Sequence, residues 1–300
     1  MLEIKVILCP VDFSEFSVRA YQHALSLAEH YRAKLVAEHI VELSRYPYAD
    51  YAATAGDYAE FRRALCEGGK EQLREFVKKH FRGEIQPELV VHEGVAPDCI
   101  LSLAQGQKAD LIVMGTHGRR GYDRFVLGSV TNRVMRKTPC PVLAVCKLPQ
   151  GSVSADMAAG EPRPHTHHLN RVLFCTDFSE NSERALSYAI SAAEEYDAEL
   201  TLLHVLEDAP SAGKTEEVIA KAAAQLDRLI PPEARKRLKI KTVVRVGKPY
   251  QQIIQLAQET QADMVAMGVH GRGALDMAVF GSTTYRVLQL GPCPVLAVHI

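Results

Sequence analysis

The 300-residue sequence has no apolar run long enough to span a bilayer, which needs roughly 20 residues as a helix. Its N-terminus lacks the basic start, long apolar middle and cleavage site of a signal peptide. Charge of either sign is not in excess. The net value of −1 gives no electrostatic reason to expect a nucleic-acid or acidic-membrane partner. The seven cysteines (Cys9, Cys66, Cys99, Cys140, Cys146, Cys175, Cys293) are odd in number, and no pair has zinc-ligand spacing. Reduced thiols in a cytoplasmic protein are therefore expected. Two phosphate-binding signatures are also missing. There is neither a G-x-x-x-x-G-K-[ST] loop nor a G-x-G-x-x-G turn.

What is present is a repeat. Gly115-Thr116-His117-Gly118 is followed, after nine residues, by Gly128-Ser129; Gly268-Val269-His270-Gly271 is followed at the same spacing by Gly281-Ser282. Each copy follows an apolar run, Asp110–Met114 or Asp263–Met267, that reads as a buried strand. Each precedes an amphipathic run, Ser129–Lys137 or Ser282–Leu290, that reads as a helix. A glycine-punctuated loop entering a helix N-terminus suits an anion. Glycine admits φ > 0 and lets a ligand approach the backbone, and the first helical amides lack internal partners. The same loop is also explicable as a long turn that needs glycine for steric reasons alone.

The duplication extends along the chain. Ile4–Val11 is a nearly continuous apolar run ending at Asp12-Phe13-Ser14, with Ser14 a candidate N-cap. Val172–Thr176 ends likewise at Asp177-Phe178-Ser179. Lys34–Val41 and Glu199–Leu206 form a second strand pair, with His39 opposite His204. Pro139–Val145 and Pro292–Val298 match letter for letter. Asp177 lies 165 residues after Asp12, whereas Gly268 lies 153 after Gly115. The deficit falls mainly in a loop with Tyr46, Tyr48 and Tyr51 and in the helix expected over Ala59–His80. From Leu148 to His168 apolar periodicity stops, and prolines and glycines precede His165, His167 and His168. The histidines read as part of a solvated linker rather than a metal site. The division expected is 1–148, a linker over 149–168, and 169–300.

Each half reads βαβαβαβαβ, which implies a parallel sheet covered by helices on both faces. Ligands of such sheets sit beyond the carboxyl ends of the strands, where strand order reverses. If the first and fourth strands are neighbours, Asp12 shares a crevice with the loop from Gly115, and Asp177 with that from Gly268. A carboxylate there can accept bonds from ribose hydroxyls or a base amino group, or it can help cap the next helix. Arg119 and Arg272 either neutralise phosphate or are solvated; His117 and His270 either reach phosphate or pack the loop.

The twice-repeated G-x-x-G, nine residues, G-[ST], with an acidic residue after the first strand and a terminal P-C-P-V-L-A-V strand, resembles the universal stress protein family. The likeness covers both halves. It implies two Rossmann-like α/β domains, each an open parallel five-stranded sheet with helices on both faces. It also implies ATP, ADP or AMP as ligand, with Mg²⁺. Carried over by position, the nucleotide-binding residues are Asp12, Ile40, Gly115, Gly118, Gly128, Ser129 and Val130. Their counterparts are Asp177, Val205, Gly268, Gly271, Gly281, Ser282 and Thr283; Arg119 and Arg272, next to the second glycine of each loop, join the candidate set on their charge and not by the resemblance. The family's last strand commonly makes its dimer contact, so the halves are expected to form an intrachain pseudo-dimer, with a homodimer left open. The competing classes are a nucleotide hydrolase or nucleotidyl transferase on the same fold, and a module holding a lipid-like ligand between the halves. No catalytic residue is assigned.

Overall fold

The computed structural model describes residues 3–45, 55–81, 84–117, 127–146, 169–207, 215–269 and 281–299. The first half comprises β1 (Val6–Pro10), α1 (Glu15–Tyr31), β2 (Lys34–Val41), α2 (Ala55–His80), β3 (Glu88–Glu93), α3 (Ala96–Gly106), β4 (Leu111–Gly115), α4 (Ser129–Lys137) and β5 (Val142–Val145). The second comprises β6 (Arg171–Thr176), α5 (Glu180–Tyr196), β7 (Glu199–Leu206), α6 (Thr215–Leu229), α7 (Pro232–Arg237), β8 (Ile240–Val246), α8 (Pro249–Glu259), β9 (Met264–Gly268), α9 (Ser282–Leu290) and β10 (Val295–Val298). The halves differ where the numbering offset changes. The single 26-residue α2 corresponds to the shorter α6 plus α7, separated at Pro231-Pro232. Proline there removes amide donors and ends the helix. The tyrosine-rich loop, the linker and its histidines lie mostly or wholly outside the described residues.

Helices α1 and α5 show how the chain covers its sheet. Ser14 and Ser179 cap them, each side chain accepting from an amide three residues on. Their buried faces are built on Ala20, Ala24 and Ala28 in α1 and on Ala185, Ala189 and Ala193 in α5. Small side chains at i, i+4 spacing let each helix lie close on the strands. The turns after β3 and β8 place Gly94 at φ 151° and Gly247 at φ 131°, a region that disfavours a side chain.

Within each half the strands are parallel, as expected, but the chain does not form two separate five-stranded sheets. It forms one ten-stranded sheet in the order β3-β2-β1-β4-β5-β10-β9-β6-β7-β8. The seam is an antiparallel pairing of β5 with β10, in which Leu143 opposes its own repeat counterpart Leu296. An apolar edge strand left unpaired exposes backbone donors and acceptors to chance association, and the two edges satisfy each other here. This is the intrachain pseudo-dimer. Cys146 reinforces it by donating from Sγ to the Cys293 carbonyl oxygen at 3.0 Å. All seven cysteines are free thiols.

The sheet separates two apolar layers. One holds the buried residues of α1, α2, α5, α6 and α7; the other holds those of α3, α4, α8 and α9. Both layers run across the seam. On the first face His30 Nε2 lies 3.0 Å from Glu195 Oε1, and the His30 ring stacks on Tyr196 at 4.3 Å. Among the described residues no helix is long and apolar enough to cross a membrane.

The seam generates a coupling prediction. Leu143→Ala and Leu296→Ala should each cost about 2–5 kcal/mol in urea unfolding, because both side chains are almost fully buried. Being cross-strand neighbours, they should show an interaction term of about 0.5–3 kcal/mol in a double-mutant cycle. Strict additivity would mean that the two leucines do not meet across the axis.

Candidate functional site

Strand order reverses between β1 and β4, and again between β6 and β9. In the first half Ile7 pairs with Leu111 and Leu8 with Ile112. Continuing that parallel register brings Asp12 level with Thr116. In the second half Cys175 pairs with Met267, which brings Asp177 level with Val269. The acidic turn and the start of the glycine loop therefore meet at one carboxyl edge, twice. Ile40 and Val130 pack on the same apolar layer as α3 and α4, so the second strand and the start of α4 flank that edge from one face.

The acidic residues have a definite local job. Asp12 Oδ1 accepts from the Ser14 amide at 3.0 Å and from the Ser14 hydroxyl at 2.6 Å. Asp177 makes the same two contacts with Ser179, at 3.0 and 2.6 Å. The cap itself is the serine; the aspartate orients it. Between them Phe13 and Phe178 adopt φ of 64° and 59°, a left-handed conformation that a bulky residue rarely takes. Each ring is held against a histidine, Phe13 on His39 at 4.4 Å and Phe178 on His204 at 4.3 Å. His39 and His204 in turn donate from Nδ1 to the carbonyl oxygens of Val11 and Thr176, both at 2.8 Å. This strained turn fixes where the carboxylate stands. The repeated Asp-Phe-Ser and the paired histidines were visible in the sequence, but the strain was not.

The glycines act differently from expectation. Gly128 and Gly281 are N-caps of α4 and α9 with φ of −54° and −59°, which any residue can adopt. What excludes a side chain at Gly128 is proximity, since a Cβ there would lie 2.9 Å from the Thr116 carbonyl oxygen. The Gly128 amide donates to that oxygen at 2.8 Å, closing the loop on itself. Gly281 donates likewise to Val269 at 3.2 Å. At Gly115 a Cβ would meet Phe16 Cβ at 2.7 Å, and at Gly268 the Asn181 backbone at 3.0 Å. These glycines thus let β4 and β9 press against α1 and α5. Thr131 Oγ1 donates to the Gly115 carbonyl oxygen at 2.9 Å, and Thr284 Oγ1 to that of Gly268 at 3.0 Å.

A phosphate-bearing ligand fits the donor set. Unlike α1 and α5, neither α4 nor α9 is closed by a side-chain cap. The first amides of each helix, including those of Ser129, Val130, Ser282 and Thr283, lack internal partners and carry the positive end of the helix dipole. Gly118, Arg119, Gly271, Arg272 and His270 lie outside the described residues. His117 Nδ1 lies 2.9 Å from Thr116 Oγ1, and its ring packs on Phe16 at 5.1 Å. Among the described residues no cluster of His, Cys, Asp or Glu is placed to hold a metal ion.

The match to known proteins follows the repeat. The model of the universal stress protein family matches residues 3–145 and again 168–299. The chain belongs to the universal stress protein family. It carries two tandem domains of that family. A universal stress protein of Mycolicibacterium smegmatis is 27% identical, with 98% of this chain and 96% of that protein covered. One from Methanocaldococcus jannaschii is 36% identical over 143 residues, covering 48% of this chain and 82% of its own length. The crystal structure of a universal stress protein from Archaeoglobus fulgidus covers 99% of both chains with a TM-score of 0.66 at 20% identity, which speaks for the fold.

One residue of this universal stress protein escaped the sequence reading. Glu38, two positions before Ile40 on β2, is fully buried. Its Oε1 lies 2.8 Å from His92 Nδ1, and its Oε2 has no partner. The second half has Leu203 at this position, also buried. The signal was present as a lone charge inside an apolar strand. Burial pushes the Glu38 carboxyl above its ordinary value of 4.5, against the opposing pull of His92. A carboxyl that binds its proton more tightly when folded loses stability as pH rises from the ordinary value through the raised one. Relative to Glu38→Gln, the wild type should therefore weaken as pH rises out of the ordinary carboxylate range. Chemical denaturation across that range checks it; a pH-independent difference would show that Glu38 does not titrate there.

Proposed function

We propose that each half binds a nucleotide, ATP with Mg²⁺ foremost and ADP or AMP as alternatives, and that the protein is a nucleotide-dependent stress sensor or regulator working in the cytoplasm. The observation that carries this reading is the doubled convergence of an oriented carboxylate and an uncapped helix N-terminus at the reversal of strand order. In this reading Asp12 with Ile40, and Asp177 with Val205, hold the nucleoside end. The loop and helix residues Gly115, Gly118, Arg119, Gly128, Ser129 and Val130 hold the phosphates in the first half. Gly268, Gly271, Arg272, Gly281, Ser282 and Thr283 hold them in the second. The domain limits proposed are 1–148 and 169–300, joined by a linker over 149–168.

Turnover is expected to be slow or absent. Backbone amides and hydroxyls hold phosphate equally in ground and transition states, and such uniform binding does not raise turnover. Rapid phosphoryl transfer needs a positioned nucleophile and concentrated positive charge, and no lysine belongs to either loop.

Nucleotide-stripped protein should gain about 2.7 kcal/mol per occupied site when ATP with Mg²⁺ is a hundredfold above Kd. Asp12→Asn and Asp177→Asn are the discriminating variants. An amide oxygen can still accept from Ser14 or Ser179, so the turn survives while the charge-assisted ligand contact weakens. Each should reduce affinity in its own half by roughly tenfold with little change in unliganded melting temperature. Absence of any melting shift at millimolar ATP counts against the assignment. Phosphate release near the typical enzyme value of about 10 s⁻¹ that vanishes in the double variant would make the protein an enzyme instead.

A further inference from the structure

A carboxyl–imidazole pair stands beside the site proposed for nucleotide in the first half, and the second half has no such pair. In the β2–β3 register Ile40, placed at the nucleoside end of that site, lies opposite His92. Residues directly opposite one another point to the same face of a sheet. Glu38, two positions back on β2, shares that face. It is fully buried, with Oε1 2.8 Å from His92 Nδ1 and Oε2 without a partner among the described residues. The His92 side chain is 42% exposed. With Nδ1 turned inward to Glu38, Nε2 on the far side of the ring is the nitrogen left to meet a ligand. In the second half Leu203 stands in place of Glu38. Arg245, opposite Val205, is tied to Glu259 of α8.

The proton count of the pair decides what Nε2 offers. When the pair is electrically neutral, one proton lies between Glu38 Oε1 and His92 Nδ1. Nε2 then carries a hydrogen, whichever of those two atoms holds the shared proton. Oε2 is no alternative seat, because nothing described accepts from it. When the pair loses a proton, the carboxylate accepts from Nδ1–H and Nε2 is left bare. Burial favours the neutral form. A sealed carboxylate without a counter-charge is costly, and burial pushes the Glu38 carboxyl above its ordinary value of 4.5, against the pull of His92. The neighbouring elements act in the same sense. β1 presents Leu8 and Pro10 on this face. Glu42 at the end of β2 accepts from the Ala96 amide. α3 contributes Asp98, paired with Arg133 of α4, and the Cys99 thiol, which burial and then Glu38, Asp98 and Glu42 hold above its ordinary value. Groups this close lose their protons as a unit. The Nε2 donor is therefore present at lower pH and lost as pH rises through the titration of the pair.

We propose, on the reading that nucleotide binds in both halves, that His92 is a further ligand-contacting residue of the first site, with Nε2–H donating to an acceptor on the edge of the base and Glu38 holding the proton that keeps this donor in place. Affinity of the first site falls as pH rises. The second site, with Leu203 and an engaged Arg245, does not follow it.

The test is a titration of nucleotide-stripped, full-length protein with ATP and Mg²⁺ at about pH 6 and about pH 9, followed by methyl NMR. Ile40 and Val130 report the first site, Val205 and Thr283 the second. The second site thus controls for titration of the nucleotide itself. The dissociation constant of the first site should rise about tenfold between the two pH values, the loss of one hydrogen bond, while that of the second stays nearly constant. In unliganded protein the nitrogen NMR signal of His92 Nε2 should pass from protonated to bare over the same interval. His92→Phe keeps a ring but no donor, and should hold the first site at its weaker, high-pH affinity throughout. Melting curves establish that the variant is folded; if it is not, the wild-type comparison of the two sites and the Nε2 signal decide. Equal pH dependence at the two sites, or an Nε2 that keeps its hydrogen while affinity falls, would overturn the role of His92 and leave the nucleotide reading standing. No binding at either set of methyl groups would remove both.

Discussion

Pairing of β5 with β10 is the constraint on which the rest of the molecule depends. Each is a four-residue, wholly buried apolar strand. Alone, either would present an unsatisfied hydrogen-bonding edge and an apolar surface. Joined antiparallel, they satisfy each other's backbone groups and merge two sheets into one. The two apolar layers then run continuously across the seam. The Cys146 contact and the His30–Glu195 pair both arise at this junction.

Duplication within one chain lets equivalent positions diverge, and the divergence is physically informative. Position 30 meets its counterpart 195 across the axis, and the pair is His with Glu. A symmetric pairing of identical halves would place the same residue on both sides. Exposed pairs of this kind contribute little stability, but they favour the intended partner over a like one. Leu27 and Ala192 differ in volume, and Glu38 and Leu203 differ in charge. What stays alike is the strained Asp-Phe-Ser turn with its histidine support, and the helix that begins at Gly128 or Gly281. The conserved geometry between halves is thus concentrated at the carboxyl edge where strand order reverses.

The glycines of that edge serve close packing. Gly115 and Gly268 allow a strand to approach a helix backbone, and Gly128 allows the loop to close on the Thr116 carbonyl oxygen. None of the three needs positive φ. Neither α4 nor α9 has a side-chain cap on its first turn, and an uncapped helix N-terminus is the kind of place where phosphate can be received.

By itself the sequence determined the repeat, the alternation of strands and helices, and the caps at Ser14 and Ser179. The limits of β2, α4, β7 and α9 follow the expected runs to the residue. These features are local: periodicity, capping and proline placement act over a few residues and leave their mark in order. It also singled out Asp12, Asp177 and the glycine loops, because both copies end their strands with the same residue types. Only the tertiary structure decided which strands are neighbours, that the halves share one sheet, and that Glu38 is sealed with one oxygen unpartnered. Those outcomes depend on which surfaces from distant parts of the chain meet, and on whether volumes such as Leu27 and Ala192 match when they do. A linear pattern records that a strand is apolar on both faces; it does not record what lies against its edge.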